Sequence, residues 1–216
     1  LTFDLWNFLV KFDKYPKILI MKRFFIFLLI ASAINVATAQ DKTIGIFSNS
    51  ADIGNPKIKG SVKYNPADQS YTLRGAGYNI WFERDEFRYL FNKIKGDFIL
   101  TADFEFQGKG KEAHRKTGWM VRESTDEKSR HITATLHGDG LTVLQWRPEP
   151  AASMRDPQDE LFAKDSAYNI IQIERQGKII TMRAAHKGKP LDVIGTHEMS
   201  NLADEVLVGP FVCSHN

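Results

Sequence analysis

The chain has 216 residues, 43% hydrophobic and 12% aromatic, which excludes a disordered protein and allows one domain with a real core. Its formal net charge is +3, but residues 1–39 carry five basic side chains (Lys11, Lys14, Lys17, Lys22, Arg23) against Asp4 and Asp13, so the remainder holds 24 of each sign. A balanced remainder lacks the basic surplus of a nucleic-acid protein, and no nucleic-acid partner is expected.

In chain order, the first organised feature is a leader. Met21-Lys22-Arg23 is a charged n-region, Phe24 to Ile34 an apolar h-region and Ala37-Thr38-Ala39 a small-residue cleavage site. Residues 1–20 then read as an upstream extension ahead of a start at Met21, residues 21–39 as a signal peptide, and 40–216 as the folded domain. A signal anchor beginning near Ile18 is the rival reading. The apolar run falls short of the roughly 20 residues a membrane span needs. The expectation is therefore an exported protein, periplasmic or extracellular, with no transmembrane span after cleavage. No cysteine stands at the cleavage site to carry a lipid. The single cysteine, Cys213, has no intrachain partner and reads as a buried thiol.

Past residue 40 the apolar spacing is that of strands, with little helical periodicity. Gly45-Ile46-Phe47 is a short apolar piece, and Asp52 to Pro56 reads as a turn. Strands are predicted at Gly60–Tyr64 and at Ser70–Arg74, where Tyr71 and Leu73 share a face. Asn79 to Glu83, carrying Trp81, follows a glycine-rich break. Phe87 to Ile94 reads as a strand or one helical turn. Asp97 to Phe106 puts Phe98, Leu100, Ala102, Phe104 and Phe106 on one face and predicts a central core strand.

Gly118 to Arg147 is the most regular stretch. His131, Thr133, Thr135 and His137 alternate with Ile132, Ala134 and Leu136, the pattern of a strand. Gly138-Asp139-Gly140 is a hairpin turn, and Leu141 to Arg147 is the return strand. Pro148 to Asp165 reads as a surface loop with a helical turn near Gln158 to Ala163. Tyr168–Arg175 and Lys178–Ala185 form a hairpin about Gln176-Gly177. Leu191–Thr196 and Glu205–Cys213 are the last predicted strands. The class is all-β, a two-sheet antiparallel sandwich.

Six stretches carry a resemblance: DIGNPKIKGSVKYN (52–65), YTLRGAGYNIWFERDEFRYLF (71–91), KGDFILTADFEF (95–106), EAHRKTGWMVRES (112–124), HGDGLTVLQWR (137–147) and VGPFVCSHN (208–216). In this order they resemble the concanavalin A-like lectin/glucanase superfamily, and more narrowly the jelly-roll module found ahead of a TolB-like, WD40-like propeller in exported bacterial proteins. The resemblance implies a jelly roll with one curved, partly polar face, a closing strand after Asn216 that this chain lacks, and a downstream propeller as partner. Pro210 departs from the pattern and places the regularity of the last strand in question.

The candidate site is a recognition surface rather than a catalytic one. Glucanase relatives present Glu-x-Asp-x-x-Glu; here Glu83-Arg84-Asp85-Glu86-Phe87-Arg88 places Arg88 at the second glutamate, so no catalytic pair is assigned. His131 and His137 lie about 20 Å apart on one strand, too far to share a metal. Asp126, Glu127 and Asp139 offer loop oxygens for a structural calcium, and no other cofactor is expected. Ligand contacts are assigned to Trp81 as a stacking platform and to Glu83, Arg122, His131, Thr133, Thr135, Gln145 and Arg147 as polar groups. Trp119 and Trp146 point to the opposite face and are expected in the core. The expected ligand is a carbohydrate or another polar molecule. The alternatives are an interaction module packing on a propeller, and a glucanase-type hydrolase.

Overall fold

The computed structural model describes residues 2–4, 43–108 and 110–216; the predicted leader, 21–39, lies outside them. Among the described residues there are fourteen strands: β1 (Thr2–Asp4), β2 (Asn49–Ile53), β3 (Ser61–Asn65), β4 (Ser70–Arg74), β5 (Phe87–Lys95), β6 (Phe98–Asp103), β7 (Lys116–Arg122), β8 (His131–His137), β9 (Thr142–Arg147), β10 (Glu160–Phe162), β11 (Ile170–Gln176), β12 (Ile179–Ala185), β13 (Asp192–Glu198) and β14 (Glu205–Cys213). The described residues contain no helix.

A seven-stranded sheet, ordered β10-β9-β8-β7-β14-β5-β2, faces a four-stranded sheet, β13-β12-β11-β6, and a three-stranded one, β1-β4-β3. All pairings are antiparallel. The main core lies between these layers. Trp119, Val121, Ile132, Ala134, Leu136, Leu144 and Trp146 of the large sheet meet Leu100, Ala102, Ile171, Ile173, Ile180 and Met182 of the small one. The alternation predicted for β8 places its apolar set here and its polar set on the opposite, outer face. Trp119 is fully buried, donates from Nε1 to the Ile171 carbonyl at 2.9 Å, and meets Phe104 edge-on. Trp146 stacks on His197 at a centroid distance of 3.6 Å.

The outer face of the large sheet is also covered. Phe87, Tyr89 and Phe91 of β5 and Leu207, Phe211 and Cys213 of β14 form a second apolar cluster with Met120, Ile53 and Ile80. Ile80 comes from the segment between β4 and β5, whose Ile80–Asp85 bridge folds it back on itself. β7, β8 and β9 are accordingly buried along their whole length, whereas β11 and β12 alternate between core and solvent.

Several expectations are corrected. Asp52 and Ile53 end strand β2, and the turn starts at Gly54, whose φ is +69°. Asn79–Glu83, which carries Trp81, is a loop. Phe87–Ile94 is a strand rather than a helical turn. The apolar row of β6 faces the core as predicted, but β6 ends its sheet instead of occupying the centre. The turn expected near Gln158–Ala163 is strand β10, because Glu160–Phe162 pairs with Val143–Gln145. Pro210 sits inside β14: pairing with β7 runs through it, while pairing with β5 stops after Val208 and resumes at Phe211. A proline lacks the N–H for a continuous ladder on both sides.

Candidate functional site

Register assembles the outer face of the large sheet row by row. One row carries Arg122, His131 and Arg147; the next Met120, Thr133, Gln145 and Glu160; then Gly118, Thr135 and Val143; then Lys116 and His137. The polar residues assigned on β7, β8 and β9 therefore share one face, and Glu83 lies outside its rows. They split into two groups with different chemistry.

The first group closes around Asp85. Arg147 donates Nη1 to Oδ2 at 2.7 Å and Nη2 to Oδ1 at 2.6 Å; Arg122 donates Nη1 to Oδ2 at 3.2 Å; His131 Nε2 lies 3.6 Å from Oδ2. All four side chains are fully buried. The remaining guanidinium protons go to backbone carbonyls, from Arg122 to Ser124 and Asp126, and from Arg147 to Phe82, Ser129 and Ala152. Burial works against the Asp85 carboxylate, but His131, Arg147 and Arg122 outweigh it and hold it well below the usual range. Burial pulls His131 down to about 4, so the imidazole is neutral at pH 7 and the arginines supply the field.

This network corrects the assignment of Arg122 and Arg147 as ligand contacts, whereas His131 keeps both ring nitrogens without a hydrogen bond of good geometry. The charge and fork of each arginine are consumed by Asp85 and by loop carbonyls. They pin the segment before β5, and the loops after β7 and β9, to the sheet. Asp85 was missed as their partner. The available signal was two arginines on one strand face, since buried cations need a counter-charge.

Trp81 and Glu83 belong to the same pinned segment. Trp81 is half-buried and its carbonyl accepts from Met154 N at 2.9 Å; Glu83 is exposed and accepts from Ser153 Oγ at 3.0 Å. In the Glu83–Arg88 stretch Asp85 is spent on the arginines, Glu86 pairs with Arg84, and Arg88 pairs with Asp52 at 3.3 Å. Asp126 Oδ1 accepts from Lys128 N and Asp139 Oδ1 from Leu141 N. Among the described residues no group of three or more His, Cys, Asp or Glu side chains converges as a metal site.

The second group keeps unused capacity. Thr135 donates to Thr133 at 2.9 Å, and Thr133 to the Gln145 carbonyl at 3.3 Å. Gln145 Nε2 lies 3.5 Å from the Ile80 carbonyl, a marginal contact. His137 is 7% exposed; the Gln145 side chain acts on it, but among the described residues neither ring nitrogen makes a hydrogen bond of good geometry. Orphaned buried groups of this kind cost about 1–3 kcal/mol each. Burial, then the nearby Lys116 charge, holds His137 down to about 3. Lys116, 3% exposed, donates Nζ to Asn79 Oδ1 at 2.6 Å, and burial lowers its pKa. Burial and the neighbouring Asp156 carboxyl push Glu160 up to about 7. Lys116, Asn79 and Glu160 escaped the sequence reading, because a lysine at a strand start and a glutamate in a proline-rich loop look like solvated residues.

No family model matches the chain, and no curated protein does. Among solved structures it is similar to a functionally unknown protein from Saccharomyces cerevisiae, with a TM-score of 0.48 and 16% identity over 77% of this chain and 87% of that one. A likeness at that level bears on neither the site nor the ligand.

Proposed function

We propose that the protein is an exported jelly-roll module of the concanavalin A-like kind that holds a saccharide, or another polar ligand, on the outer face of its large sheet. Export rests on the leader read at 21–39. The single observation carrying the binding function is the set of buried polar side chains at β7–β10. There Gln145 and Glu160, then Thr135, then Lys116 and His137 occupy three successive rows of one face, and His137 makes no hydrogen bond of good geometry from either ring nitrogen. Sugar hydroxyls both donate and accept, and so match such a mixed set. Thr133 and Gln145 stay in the proposed contact set, while Arg122 and Arg147 support the loops around it. A glycan array with the purified protein, followed by calorimetry on Gln145→Ala and Thr135→Val, is the test. Binding weakened about tenfold or more by either variant is expected, and silence toward every saccharide overturns the reading.

One feature favours an interaction module as the second reading. Among the described residues β13 is an unpaired sheet edge with Val193 64% and Leu191 37% exposed, next to a groove of about 350 Å³ lined by Phe162, Lys164, Tyr168, Asp192, Val193 and Ile194. Edges of this kind invite a partner. Co-expression with a downstream propeller segment that protects β13 amides from hydrogen exchange would favour it; unchanged exchange would count against it.

A further inference from the structure

Lys116 is the unusual group of the outer face. Its ammonium is buried and hydrogen-bonds the neutral Asn79 amide oxygen, which also accepts from Ile80 N at 2.8 Å. Among the described residues no carboxylate forms an ion pair with it. Its register neighbours are His137 on β8 and Cys213 on β14. Burial pushes the Cys213 thiol up to about 11, so it is neutral and offers no counter-charge. The His114 ring lies 5.7 Å from that of His137 and 5.8 Å from that of His215. The acidic groups facing this corner act only at longer range: Glu160 on Lys116, Asp139 on His137, and Glu112 on His215.

A buried ammonium without a counter-ion is costly, and so is a buried imidazole without a hydrogen bond. A ligand supplying anionic oxygens beside Lys116 Nζ offsets both costs, by pairing with the ammonium and accepting from an imidazole N–H. We propose that the Lys116–His137 corner is an anion subsite, and that the ligand of the outer face is an acidic saccharide whose carboxylate or sulfate is held there. The inference rests on the saccharide reading above and narrows it from polar ligands to anionic ones. The Asp85 network is not its seat, because its cations are already neutralised and hydrogen-bonded.

The test titrates the purified protein with four probes under one buffer: a uronate oligosaccharide, a sulfated oligosaccharide, a neutral oligosaccharide of matched length, and inorganic sulfate. An acidic probe binding at least tenfold tighter than the neutral one, with that preference weakening in high salt and lost in Lys116→Gln, is the expected result. Equal binding of acidic and neutral saccharides overturns the anion subsite and leaves the saccharide reading standing. Binding of inorganic sulfate without any saccharide overturns the saccharide reading and the acidic-saccharide ligand with it, and binding of no probe overturns both the reading and the subsite. Folding is controlled by Lys116→Met. With the ammonium kept for a ligand, its removal leaves the urea midpoint unchanged or higher; a large drop assigns Lys116 a structural task and sinks the proposal.

Discussion

Arg147 grips Asp85 through two parallel hydrogen bonds, Nη1 to Oδ2 at 2.7 Å and Nη2 to Oδ1 at 2.6 Å, across 62 positions of sequence. Planar bidentate pairing of this kind fixes direction as well as distance. It ties the segment before β5 to the end of β9, while Arg122 ties the same carboxylate to β7.

Asp85→Asn retains the shape but removes the charge that holds two buried arginines. Breaking a buried pair by removing one partner costs about 3–5 kcal/mol. The expected outcome is a urea midpoint lowered accordingly, with proteolysis appearing first between Gly77 and Glu86. Arg122→Met should cost less, because its contact with Asp85 is a single bond at 3.2 Å. Denaturation curves for both variants check the order.

Alongside His137, which burial lowers in the same sense, the pH dependence follows from His131. Its folded pKa of about 4 lies below its ordinary value of 6.5, so between those limits the unfolded chain binds the extra proton. Stability then rises with pH across that window, by up to about 1.4 kcal/mol per unit, and is lost as pH falls from 6.5 toward 4. Asp85, depressed below the usual range, adds its own loss at still lower pH. Glu160 acts in the opposite sense: raised to about 7, it favours the native state below that pH and withdraws the contribution as pH rises through it. His131→Gln should flatten the limb between pH 4 and 6.5, and Glu160→Gln the descent toward pH 7, in urea midpoints taken across pH. A His131→Gln profile parallel to the parent's would refute the assignment.

The sandwich was legible because period-2 alternation survives wherever one face meets solvent or a chemically distinct layer. β8 reads correctly from His131 to His137, and Trp119 and Trp146 fall in the core because register opposes them to Arg122 and Arg147. The site was legible only as a surface. Alternation shows which side chains share a face, but not that a distant loop lies on it. Asp85 reaches Arg122 and Arg147 from 37 and 62 positions away, and local spacing carries no trace of that contact. β10 was misread for a related reason: three residues are too few for a period, and their strand state comes from pairing with β9.

Trp119 tests the core between the sheets. Trp119→Ala removes the indole, its bond to the Ile171 carbonyl and its edge contact with Phe104. The expected loss is about 3–5 kcal/mol. Trp119→Phe keeps most of the apolar volume and orphans only the carbonyl, so it should cost about 1–3 kcal/mol. Equal losses in the two variants would show that the hydrogen bond, and not the volume, dominates.

Gly118 tests how β7 and β8 approach. Its φ is +143°, and a Cβ there would stand 1.9 Å from the Ala134 carbonyl oxygen. That atom is backbone of the neighbouring strand, so no side chain can swing aside to make room. Strain of about 1–3 kcal/mol adds to a comparable cost of overpacking. Gly118→Ala should therefore lose more than about 3 kcal/mol and disturb the Trp119–Ala134 register pair, read as faster amide exchange in β7 and β8. Gly177, with φ +60° and no atom within 4 Å of its hypothetical Cβ, is the control. Gly177→Ala meets backbone strain alone, about 1–2 kcal/mol, and should leave β7 and β8 exchange unchanged. If both substitutions cost the same, the close approach of β7 to β8 contributes nothing beyond glycine's backbone freedom.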